Sequence, residues 1–145
     1  MTMSYLVKHY MNKEVRTIED KASVIEAAQK IVETDDGYLI VLSKGRPAGI
    51  VTENDFVKKV LAQKVDPTRL TVGEIMSSPL VTIDPEEDLL KSSEIMKQHE
   101  IRRLPVVKDG IIYGIITAGD IAMGCGEYVD RSVRDIVRWT APFGA

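Results

Sequence analysis

Apolar and polar positions along this chain fall into two rhythms that alternate. Val15, Arg16, Thr17 and Ile18, and later Leu80, Val81, Thr82 and Ile83, are short runs rich in β-branched residues, which predict strands. Val24, Ala27, Ala28 and Ile31 then recur at helical spacing, as do Leu89, Ser92, Ser93 and Met96. Apolar runs over 38–42 and 104–107 predict two further strands, each paired in a hairpin with a run over 48–51 or 113–116. Ser43-Lys44-Gly45 and Lys108-Asp109-Gly110 supply the turns, Asp-Gly being a strong hairpin signal. A second helix starts near Asn54 in the first half and near Gly119 in the second, and Phe56, Val57 and Val60 form its expected apolar face. The first helix of the second half is expected to open at Asp84, with Pro85 in the first turn and Glu86 and Glu87 facing the positive end of the helix dipole.

The two halves are copies. Shifting the chain by 65 residues aligns it with itself without a gap and superimposes identical residues at Met11/Met76, Thr17/Thr82, Ile18/Ile83, Leu39/Leu104, Val41/Val106, Gly45/Gly110, Gly49/Gly114, Ile50/Ile115, Thr52/Thr117 and Asp55/Asp120. Composition alone gives roughly three matches in such a window, so the repeat is real. Each copy reads strand, helix, strand, strand, helix, a mixed α/β (α+β) unit. One such sheet covers only one of its faces, so the copies are expected to pack sheet to sheet about a pseudo-twofold axis. The expected division is a first domain over 5–64, a linker over 65–70, a second domain over 71–126, and a closing helix and tail over 127–145 that carries Trp139 and Phe143.

Composition narrows the chemistry. The chain has 145 residues, 44 % of them hydrophobic and 28 % charged, within the usual range of globular proteins. A formal charge of −3 argues against a nucleic-acid binder, which needs a basic surface. The single cysteine, Cys125, allows no internal disulfide, and no apolar stretch is long enough to span a bilayer. The start of the chain has no signal-peptide pattern, and the expected location is cytoplasmic. His9 and His99 are isolated and occupy non-equivalent positions in the repeat, so no metal site is expected. No nucleophile has an evident base, and neither a P-loop nor a dinucleotide fingerprint is present, so no enzymatic activity is expected.

The candidate chemistry lies in Gly49-x-x-Thr52-x-x-Asp55 and its copy Gly114-x-x-Thr117-x-x-Asp120. A glycine permits close backbone approach, a threonine hydroxyl can meet a sugar or phosphate, and a carboxylate can accept both hydroxyls of a vicinal diol. Thr and Asp at a helix start also describe simple capping, and that reading stands beside the first.

With Met76 to Ile83 (MSSPLVTI), Ile101 to Val107 (IRRLPVV) and the two Gly-x-x-Thr-x-x-Asp ends, the chain resembles the CBS domain family over about residues 5–125. The resemblance implies a stand-alone tandem pair, often called a Bateman module, that senses AMP, ADP or ATP, with S-adenosylmethionine or NAD as other ligands, in clefts between the copies. It also implies a face-to-face homodimer and a regulated protein that the sequence does not name.

By the same resemblance, a first ligand group comprises Thr52, Asn54, Asp55, Leu80, Val81, Arg102 and Arg103. A second comprises Val15, Arg16, Gly37, Tyr38, Thr117, Gly119 and Asp120. The arginine pair suits phosphate, whereas Asp35 and Asp36 beside Gly37 oppose it, so the first group is expected to prefer a charged nucleotide. The first copy departs from the family in having Ile40 where proline is usual. The rival reading is a protein- or nucleic-acid-interaction module without a small ligand. It rests on the basic stretch of Lys58, Lys59, Lys64 and Arg69 and on Arg131, Arg134 and Arg138 near the end.

Overall fold

The computed structural model describes residues 5–124. The expected closing helix over 127–145, with Trp139, Phe143 and its three arginines, lies outside the described residues, as does Cys125. The fold is mixed α+β, built as two compact units, and the units do not follow the repeat boundaries. One comprises Val15–Leu80; the other joins the segment before Val15 to the chain from Val81 onward.

In the unit Val15–Leu80, β1 (Thr17–Glu19) runs parallel to β2 (Tyr38–Ser43), which pairs antiparallel with β3 (Arg46–Thr52). Helix α1 (Val24–Val32) is capped by the Ser23 hydroxyl, which accepts from the Glu26 amide at 3.0 Å. Its expected apolar face buries Val24, Ala27 and Ile31 against Ile18, Leu39, Val41 and Val51. Lys44 and Gly45 both have positive φ, the primed turn that the right-handed twist of the hairpin favours.

After β3 a short α-helical turn, α2 (Glu53–Asp55), runs into a π-helical segment, Phe56–Leu61. Bonds from the Ala62 amide to the Val57 carbonyl (2.8 Å) and from Val65 to Val60 (3.1 Å) span five residues. The wider turn keeps Phe56 and Val60 on the core but rotates Val57 outward, leaving it 54 % exposed. The expectation of a three-residue apolar face fails at Val57 for this reason. Helix α3 (Val72–Ile75) completes the unit and inserts Val72 and Ile75 into its core.

The second unit repeats the plan with α4 (Leu89–His99), β4 (Arg103–Lys108), β5 (Ile111–Thr117) and α5 (Ala118–Gly124). Its hairpin turn, Asp109-Gly110, again has two positive φ values, and its register shifts between Val106 and Val107, where the first copy shifts between Val41 and Leu42. Helix α4 starts later than Asp84. Asp88 is its cap and accepts from the Lys91 amide at 2.8 Å, while Asp84 closes a separate turn with the Glu86 amide.

The run over 80–83 does not become a strand but makes one bridge, Ile83 to Val106. Proline explains the difference. In the first copy the Ile40 amide donates to the Arg16 carbonyl at 2.9 Å; Pro105, at the equivalent place, has no N–H to give Val81.

Each unit is finished by the lead-in of the other copy. The Leu89 amide donates to the Tyr5 carbonyl (2.8 Å), and the Val24 amide to the equivalent Leu70 carbonyl (3.0 Å). Val7 is buried among Ile83, Leu89, Met96, Leu104, Val106 and Ile116, just as Val72 is buried in the other core.

Candidate functional site

The two Gly-x-x-Thr-x-x-Asp segments occupy the same place in each unit, where the last strand turns into the last helix. Their glycines face protein. A Cβ on Gly49 would lie 2.7 Å from the Ser77 carbonyl oxygen, and one on Gly114 would lie 2.7 Å from that of Asn12. The lead-in backbones approach there to bridge Ile50 with Ser77 and Asn12 with Ile115. The close approach read from these glycines is made by the chain itself.

The threonines and aspartates build capping boxes. Asp55 Oδ2 accepts from the Thr52 amide at 2.8 Å, with the Thr52 hydroxyl at 3.4 Å. Asp120 Oδ2 accepts from the Thr117 amide and hydroxyl, both at 2.9 Å, and the Asp120 amide donates back to the Thr117 Oγ1 at 3.2 Å. Capping is therefore realised in both copies. It fixes each carboxylate at the strand end and leaves its second oxygen to other partners.

Those second oxygens differ. Asp55, only 8 % exposed, has Oδ1 2.9 Å from the ammonium of Lys59, which also donates to the Ile75 carbonyl at 2.7 Å. Asp120 Oδ1 receives no donor among the described residues. The sequence places Lys59 in the basic stretch on which the rival interaction reading rests. The signal that locates it was the spacing of Asp55 and Lys59, four apart on one helical face.

The expected ligand residues divide between the units. Thr52, Asn54, Asp55, Leu80, Val15, Arg16, Gly37 and Tyr38 belong to Val15–Leu80; Val81, Arg102, Arg103, Thr117, Gly119 and Asp120 belong to the other. Within the first, register sets Tyr38 opposite Thr52, and the Glu53 amide donates to the Gly37 carbonyl at 3.2 Å. Gly37 and Tyr38 are buried, Asn54 is exposed, and the Arg16 guanidinium pairs with Glu33 at 2.9 Å. Within the second, register sets Arg103 opposite Thr117, and the Ala118 amide donates to the Arg102 carbonyl at 3.0 Å. Two cationic residues thus adjoin Thr117 and Asp120, while Gly37 and Tyr38 hold the matching places beside Thr52 and Asp55.

A cavity of about 680 Å³ in the second unit is lined by Lys8, His9, Met11, Lys13, Pro85, Glu86, Lys108, Asp109 and Tyr113. None of the expected ligand residues contributes to it. Lys8 is already paired with Glu86 at 2.7 Å. Among the described residues no group of three or more His, Cys, Asp or Glu could hold a metal ion, and no helix is long and apolar enough to cross a membrane.

This plan, complete in the first copy and with a single bridge in place of the first strand in the second, belongs to a known family of paired modules. The chain belongs to the CBS domain family, which it matches over residues 7–62 and again over 72–125. It is 34 % identical over 117 residues to the CBS domain-containing protein YhcV of Bacillus subtilis, covering 81 % of this chain and 83 % of YhcV. It spans 61 and 50 % of the length of two other curated relatives. Among solved structures it is similar to a hexameric CBS-CP12 protein from bloom-forming cyanobacteria, with 32 % identity, a TM-score of 0.78 and coverage of 97 % of this chain and 89 % of that one. It is also similar to Hypoxic Response Protein I, solved with two coordinated zinc ions, at 28 % identity and a TM-score of 0.74, covering 86 % of this chain and 99 % of that one.

Proposed function

We propose that this CBS pair is a non-catalytic sensor of an adenosyl compound, AMP, ADP or ATP first, with S-adenosylmethionine or NAD as other ligands. The observation that carries the reading is the twofold presence of one arrangement, a threonine and an aspartate fixed side by side at a strand end, in units of otherwise different detail. A ribose offers two adjacent hydroxyls, and a carboxylate held in place accepts from both without further ordering. Arg103, opposite Thr117 in the ladder, and Arg102 just before it supply charge suited to phosphate.

The partner we propose for the chain is a second copy of itself. The CBS-CP12 relative is described as hexameric, and Val57 and Leu61, four apart on one helical face, are 54 and 70 % exposed. A regulated protein would read changes in that assembly.

A thermal-shift series with AMP, ADP, ATP, NAD and S-adenosylmethionine tests the sensor reading. A ligand at a hundred times its dissociation constant adds about 2.7 kcal/mol, which raises the midpoint by roughly 5–10 °C. The shift is expected with one or more of these compounds and is expected to vanish in the Asp55→Ala/Asp120→Ala double variant. A wild type unmoved by all five would defeat the reading and leave an assembly module without a small ligand.

A further inference from the structure

We propose that Lys59 acts as an internal competitor for Asp55, so that a ligand's diol is taken by Asp120 and refused by Asp55. The inference rests on the adenosyl reading above and adds which carboxylate does the binding.

Three observations carry it. Both oxygens of Asp55 are engaged, Oδ2 by the Thr52 amide at 2.8 Å and Oδ1 by the Lys59 ammonium at 2.9 Å, and the side chain is only 11 % exposed. The ammonium is anchored a second time by the Ile75 carbonyl at 2.7 Å, so a diol reaching Asp55 must strip Lys59 of two partners at once. At the 65-residue offset Lys59 corresponds to Gly124, which brings no cation to Asp120.

The packing keeps Gly124 a glycine. A Cβ there would meet Leu89 Cδ1 at 2.6 Å and Tyr10 Cδ1 at 2.8 Å, so a lysine stem would need both side chains to shift. One copy therefore carries its own cation where a ligand hydroxyl would sit, and the other has no lysine at the equivalent helical position. Arg102 and Arg103 lie beside the open carboxylate, at the positions held by Gly37 and Tyr38 beside the closed one. This ranks the two carboxylates opposite to the order expected from sequence, in which Asp55 belonged to the preferred group.

Calorimetric titration with AMP tests the inference on the wild type, Asp55→Ala, Asp120→Ala and Lys59→Met. Removing a charged acceptor from a ligand hydroxyl weakens binding about tenfold or more, so Asp120→Ala is expected to fall by that factor while Asp55→Ala stays within about twofold of wild type. Lys59→Met is expected to gain a second binding event, which disappears again in Lys59→Met/Asp55→Ala. Should Lys59→Met melt too early to titrate, the comparison of the two aspartates in the wild-type background decides alone. Binding in the wild type that falls more with Asp55→Ala than with Asp120→Ala overturns this inference and spares the sensor reading. Absence of AMP binding in all four proteins overturns both.

Discussion

The carbonyl oxygen of Asn12 lies 2.7 Å from the point where a side chain on Gly114 would begin. Ser77 stands in the same relation to Gly49 in the other unit. In both cases the obstacle includes backbone held in a bridge, beside a methionine sulfur at similar distance, and the backbone cannot move aside as a flexible side-chain tip would. Overpacking of this kind costs about 1–3 kcal/mol, and Gly114→Ala or Gly49→Ala should lower the melting midpoint by about 3–10 °C. Gly119, in the same second motif, has only the Thr117 Oγ1 at 3.7 Å, and alanine there should be neutral or slightly stabilising. Differential scanning calorimetry of the three variants checks the ranking. A Gly114→Ala protein as stable as the wild type would mean that the lead-in segment does not hold this position.

The π-helical segment makes an equally local prediction. Val60 is 3 % exposed and Val57 is 54 % exposed, although a regular helix would set both on the core. Val60→Ala should cost about 1–3 kcal/mol, the burial of a valine side chain, while Val57→Ala should stay within about 0.5 kcal/mol. Urea unfolding of the two variants measures this. Equal losses would restore the regular helix that the sequence pattern suggests.

These cases mark where the sequence was legible and where it was not. The repeat, the hairpin strands and both hairpin turns follow from patterns local to each copy, because the apolar runs around Leu39 and Leu104 must be buried and Gly45 and Gly110 adopt positive φ. The exchange of lead-ins was illegible, because Met11 and Met76 match each other in the repeat and nothing local says which glycine each will cover. The start of α4 moved from Asp84 to Asp88, since two aspartates four apart both suit a cap and only tertiary pairing of residues 5–8 with 85–89 chooses. At the candidate site the Thr–Asp pairs were found from spacing. Their unequal states were not, because Lys59 reads as one more surface cation until the Ile75 carbonyl is placed beside it.

One carboxylate offers a check by acid titration. Asp66 accepts from the Thr68 hydroxyl at 2.7 Å and from the Thr68 amide at 3.0 Å, and these bonds to its charged form hold its pKa below the usual aspartate value. A carboxyl depressed in the folded state stabilises the fold above its unfolded pKa, and that contribution is lost as pH falls through the folded value. NMR titration should find Asp66 below the ordinary aspartate midpoint, and Thr68→Val should move it upward by removing the hydroxyl. An Asp66 that titrates normally in both proteins would show that the turn over Pro67–Arg69 does not hold these bonds in solution.

The proposed self-association can be tested on the surface that the π-helical segment creates. The rotation that exposes Val57 puts it on the same helical face as Leu61, which is 70 % exposed. A monomer would leave these apolar groups in water, and a second copy would cover them, at about 25 cal/mol for each Å² removed. A charge placed there cannot be buried without a partner, so Leu61→Glu should block the association while leaving each unit folded, since no core neighbour of Leu61 is lost. Sedimentation equilibrium on the wild type and on Leu61→Glu, with circular dichroism to confirm folding, gives the answer. A wild-type assembly that falls to a folded monomer in the variant supports this face as the contact. If the variant assembles as the wild type does, the contact lies elsewhere, and a wild type that is itself monomeric removes the second copy as the partner.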